Sequence, residues 1–115
     1  MNGELLALIE REVLGWPGVS KDPDGRAVSV YRFGRRQIGH VHHDGVADLP
    51  FPRAVHDELI SEGTAQPHRG GFPAVVSFYL RRPEDVAGAV DLFRMSYDRA
   101  RAAAERRKGH RTTRS

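Results

Sequence analysis

No cysteine occurs in the 115 residues, which excludes disulfide frameworks, thiolate metal sites, iron–sulfur clusters and cysteine nucleophiles together. Long apolar runs are missing too: none approaches the roughly 20 residues needed to cross a bilayer, so no membrane partner is expected. The N-terminal segment carries Glu4 and Glu10 in a helical pattern rather than a basic stretch before an apolar core. No secretory leader is therefore expected, and the expected location is cytoplasmic. Phosphate-cradling patterns of the Gly-x-Gly-x-x-Gly or Gly-Lys-Ser/Thr type are absent. Ser20, Ser29, Ser61, Ser77 and Ser96 are scattered, none in a Gly-x-Ser-x-Gly elbow, so nucleophilic serine chemistry has no support.

What is present is unevenly charged. Of 18 basic and 15 acidic side chains, residues 99–115 hold seven basic ones against Glu105 alone. Residues 1–98 are left with 11 basic and 14 acidic groups, so the formal +3 of the whole chain hides a mildly acidic body and a basic end. A nucleic-acid-binding domain normally carries its positive stripe on the folded surface. Here only the end offers one, through Arg101, Arg106, Arg107, Lys108 and Arg111. These five side chains could add non-specific phosphate affinity by counterion release, but no aromatic residues are interleaved to stack bases. A solvated, charged end is the plainer reading.

Periodicity supplies the elements. Leu5, Leu6, Ile9 and Val13 repeat on one helical face, and Gly15 with Pro17-Gly18 stops that helix. Ala27–Phe33 alternates as a strand, Arg36–His42 reads as a second, and a turn at His43-Asp44-Gly45 leads into a short third, Val46–Leu49. Pro52 suits the first turn of a helix whose apolar stripe is Val55, Leu59 and Ile60. Ala74–Leu80 is the strongest strand, and Pro83-Glu84-Asp85 opens a last helix with Val86, Ala89, Val90, Phe93 and Tyr97 inward. Helical character extends to Ala102–Ala104; from Arg106 the composition is featureless and predicts disorder. The fold class is α+β: a single domain over residues 1–98, with about four strands in a curved antiparallel sheet. Helices pack on one face, in the order α-β-β-β-α-β-α. Residues 99–115 form a basic extension.

Chemistry concentrates in Gly39-His40-Val41-His42-His43-Asp44-Gly45, where three of six histidines fall within four positions. Period two places Ile38, His40 and His42 on one face of the strand and Gly39, Val41 and His43 on the other. Histidine titrates near neutral pH and is the commonest metal ligand, so His40 and His42 can share a divalent ion with a third donor from Asp44, Asp48, His56 or His68. The plainer reading is two ordinary histidines on a half-solvated strand, since no spacing such as HExxH is present. No cofactor is identified from a motif. Trp16, Phe33, Phe51, Phe72 and Phe78 serve either as core or as pocket wall. A small-molecule site is expected between the Leu49-Pro50-Phe51-Pro52 corner, the His40/His42 face and the His68 loop, with Asp44, Phe51 and His56 as candidate pocket residues.

Several segments together resemble the small bacterial proteins that carry the luciferase domain. They are Trp16-Pro17-Gly18-Val19, Ile38–His42 with Asp44, Asp48–Pro52, Asp57-Glu58-Leu59 with Gly63, Pro67-His68, Val76-Ser77-Phe78, Glu84-Asp85-Val86 and Leu92–Tyr97. The likeness covers roughly residues 5–100. The second half is also similar to MmcQ/YjbR-like proteins through Ser77–Leu80 and Pro83–Tyr97, which implies a compact α+β fold with a curved antiparallel sheet. The family name implies light-emitting oxidation, and the positions matching its pattern are His40, His42 and His68, the set expected to hold any metal. Flavin-binding and adenylate-forming patterns are absent, and where the family often has a tryptophan before the Val-Ser-Phe strand this chain has Ala74-Val75. The expected function is a ligand- or partner-binding module for an unidentified small molecule or protein. The alternatives are an oxidoreductase or metal-dependent enzyme on the His40/His42/His68 face, and a nucleic-acid binder using the basic end.

Overall fold

The computed structural model describes residues 3–23 and 26–113, with side chains as far as residue 109. Asp24, Gly25 and Arg114 lie outside the described residues. Among the described residues nine elements follow one another. They are α1 (Gly3–Leu14), β1 (Val19–Lys21), β2 (Val28–Phe33), β3 (Arg36–His42), β4 (Val46–Pro50), α2 (Arg53–Ser61), β5 (Gln66–Pro67), β6 (Val75–Tyr79) and α3 (Asp85–Thr113). The strands form one antiparallel sheet in the order β1-β2-β3-β4-β6-β5. The α+β architecture and the element order expected from periodicity are present. The strand count is six rather than about four, because β1 and β5 add three and two residues at the sheet edges. Segments that short complete no alternation and leave no periodic signal.

The core lies between the sheet and the helices. Ile9 and Val13 of α1 meet Leu92, Phe93 and Tyr97 of α3 over Tyr31, Val41, Leu49 and Val76. Two glycines let α3 approach the sheet. A Cβ on Gly39 would stand 2.6 Å from the Phe93 ring, and one on Gly88 would stand 2.7 Å from Phe78, so each glycine is the seat of an aromatic ring. Phe93 also packs edge-on against Tyr31, with centroids 5.7 Å apart. Midway along α3, Tyr97 fixes the helix, its hydroxyl donating to the Pro17 carbonyl at 2.7 Å.

Three local readings are corrected. Ile38 does not share the histidine face: the β2–β3 register jumps from Tyr31↔Gly39 to Arg32↔Gln37, leaving Ile38 as the extra residue of a bulge, and it is buried in the core. Pro52 caps α2 in extended geometry rather than lying inside its first turn. Helix α3 continues through 106–113, where the composition predicts disorder, because alanine, arginine, glutamate and lysine all propagate a helix once it is nucleated on the core. Among the described residues no helix is long and apolar enough to cross a membrane.

Candidate functional site

Because the helices cover one face of the sheet, alternation along the central strands directs the remaining side chains to the other. Ala47 and Leu49 of β4 enter the core, so Asp48 between them points away from it. Cross-strand pairing then sets His40 of β3 opposite Asp48, and Asp48 opposite Ser77 of β6. His42 follows two residues along β3, and His68 arrives from the loop between β5 and β6. The outcome is a buried carboxylate, 1% exposed, at the centre of three imidazoles.

The geometry is specific at each atom. Ser77 Oγ donates to Asp48 Oδ1 at 2.6 Å. The second oxygen, Oδ2, lies 2.9 Å from His42 Nε2, 3.3 Å from His40 Nε2 and 3.5 Å from His68 Nε2. A buried carboxylate demands such compensation, since an unpaired charge in an apolar interior is strongly unfavourable. His40 Nδ1 donates to Gln37 Oε1 at 2.6 Å, a contact between residues three apart on one strand that only the bulge at Ile38 permits. His68 Nδ1 accepts the Gly70 backbone N–H at 2.8 Å. Burial holds His40 below its ordinary pKa, with the neighbouring His42 and His68 pushing the same way and Asp48 opposing them.

These groups form the polar end of a cavity of about 530 Å³ whose other walls include Pro50, Phe72 and Val75. The ring of Phe72, 62% exposed, packs tilted against His68 with centroids 5.1 Å apart. It supplies an aromatic wall that Ala74-Val75 do not. The loop holding His68 and Phe72 is tied to the β3–β4 hairpin by the Arg69–Asp44 ion pair at 3.0 Å, a bond that also holds the Asp44 carboxyl below its usual range.

A family model described as Luciferase domain matches residues 35–96, more than half of the chain. The chain belongs to the Luciferase domain family. Comparison with curated proteins and with solved structures finds no match. The matched span of this Luciferase domain contains every residue of the histidine–carboxylate cluster.

Of the residues singled out from sequence, His40, His42 and His68 are brought together around one oxygen. The three candidate pocket residues do not line the cavity. Asp44 pairs with Arg69 at 3.0 Å, Phe51 is buried in the core, and His56 pairs with Asp57 on α2 at 2.8 Å. His43 points to the helix side of the sheet, 3.2 Å from Ser29 Oγ. Arg101 lies over the Tyr97 ring, Arg106, Arg107 and Lys108 are exposed, and the Arg111 side chain lies outside the described residues. Gln37 and Ser77 escaped sequence reading. Asp48 is one of four third donors open to His40 and His42, among which the expected set takes His68, yet it leaves a signal: a lone acid inside the otherwise apolar Val46-Ala47-Asp48-Leu49 strand.

Proposed function

We propose that this Luciferase domain is a small-molecule-binding module whose ligand lies in the cavity above Asp48, apolar end against Phe72 and Val75 and polar end against the histidines. The observation that carries the reading is the convergence of three imidazole Nε2 atoms on one oxygen of a buried aspartate at the floor of a partly apolar cavity. Ligand sites are typically concave, largely apolar and furnished with a few converging polar groups, and preorganised polar groups on sheet strands are held more firmly than groups on loops. A ligand oxygen accepts from the His68 Nε2–H.

The test uses p-cresol, a neutral probe with one apolar and one hydroxyl end, on chelator-treated protein by chemical-shift mapping. Expected shifts cluster at His40, His42, His68, Phe72 and Val75, and Val75→Trp, which fills the cavity, removes them. Shifts spread over α1 and α3 instead, or a probe response unchanged in Val75→Trp, overturn the reading.

A further inference from the structure

The tautomers of the cluster leave one contact unexplained by hydrogen bonding alone. Gln37 Oε1 can only accept, so His40 Nδ1 carries a proton, and in the neutral ring Nε2 then presents a lone pair. That lone pair faces Asp48 Oδ2 at 3.3 Å, an acceptor facing an acceptor. A cation between them resolves the repulsion. His68 is wired in the opposite sense: its Nδ1 accepts from Gly70, so its Nε2 carries the proton and acts as a donor.

We propose that His40 Nε2, His42 Nε2 and Asp48 Oδ2 form a three-ligand site for a divalent first-row transition metal, with His68 beside it as an N–H donor rather than a ligand. The proposal rests on the cavity reading above and names what recognises the polar end of its ligand. Metal bonds of about 2.1 Å set neighbouring donor atoms about 3.0–3.4 Å apart in octahedral to tetrahedral arrangements. The two histidine nitrogens stand 2.9 and 3.3 Å from the aspartate oxygen, and all three donor atoms lie within 4.8 Å of one another. Two imidazoles and one carboxylate suit iron(II), zinc or cobalt and exclude the hard-ligand preference of calcium.

The surrounding bonds fit the same assignment. Gln37 fixes the His40 ring as a neighbouring acceptor typically fixes a ligating histidine. Ser77 occupies Oδ1, leaving Asp48 a single oxygen to offer. The cavity lies over the remaining coordination positions, so they are open to an exogenous ligand. A divalent ion against one carboxylate leaves a net positive charge there, which recognises an anionic oxygen such as a carboxylate, phenolate or enolate. The His68 N–H then bonds that oxygen. Asp48 rather than His68 is thus the proposed third ligand.

The experiment is titration of chelator-treated protein with cobalt(II), read by its visible d–d absorption, and with zinc by calorimetry. One equivalent is expected to bind. His42→Ala and the isosteric Asp48→Asn abolish binding, and Gln37→Leu weakens it about 10–100-fold. His68→Ala leaves affinity within a few-fold of wild type, but loses the perturbation of the cobalt spectrum by added acetate. Circular dichroism verifies folding, and His42 is exposed enough for its truncation to be tolerated. Absence of stoichiometric cobalt binding by folded wild-type protein overturns the proposal, as does abolition by His68→Ala with His42→Ala indifferent. Mapping of p-cresol to the cavity without metal binding refutes the metal site and leaves the cavity reading standing; metal binding without p-cresol mapping does the reverse.

Discussion

At the scale of single residues, Asp48 organises everything around it, and its hold on the sheet can be measured apart from any ligand. Its Oδ1 has Ser77 as a buried donor at 2.6 Å. Ser77→Ala removes that donor and leaves a buried acceptor lone pair unmet, which costs about 1–3 kcal/mol. Urea denaturation is expected to show a lowered midpoint with an unchanged slope. A change below about 0.5 kcal/mol, the range of ordinary surface substitutions, means that the bond contributes nothing and that Asp48 is held by the histidines alone. The sequence made His40 and His42 visible because they share a strand and a period. The choice among Asp44, Asp48, His56 and His68 was not legible, since it depends on cross-strand register and on where a loop returns. The lowered pKa of His40 follows from its burial, which no periodicity reports.

At the scale of elements, the site depends on how tightly α3 closes on the back of β3. Phe93 sits on Gly39, the residue immediately before His40, so helix position and histidine position are coupled through one ring. Gly39→Ala puts a methyl group 2.6 Å from that ring and is expected to destabilise by about 1–3 kcal/mol, as over-packing usually does. Phe93→Leu in the same background relieves the clash. The double-mutant cycle should then give a coupling of about 0.5–3 kcal/mol in the sense of mutual rescue, measured by chemical denaturation. Strict additivity of the two changes rules out the contact as the reason for glycine at 39. The long strands and all three helices were legible because each completes several periods of its pattern. The edge strands and the bulge were not. The first are too short to alternate, and a bulge is a property of two paired strands, invisible in either alone.

At the scale of the whole molecule, the charge is segregated along the chain and α3 carries the segregation into space. The helix has 29 residues and so spans about 44 Å, and its contribution to the core ends with Tyr97 and Ala100. Beyond that point Arg101, Glu105, Arg106, Arg107 and Lys108 are exposed, so cutting the chain after Ala104 removes charge without removing core. The cut takes Glu105 and five basic residues, leaving 13 basic and 14 acidic side chains and moving the formal charge from +3 to −1. Stability is expected to change by no more than about 0.5 kcal/mol, the range for surface groups. Retention on heparin and affinity for duplex DNA are expected to fall together, because the phosphate attraction that steepens with falling salt resides in the removed arginines. Cobalt titration of the shortened chain should be unchanged, since no cluster residue lies beyond Ser77. If the shortened chain still binds DNA with the original salt slope, the positive surface must lie within residues 1–104, and the basic groups beyond Ala104 are not how this protein meets polyanions.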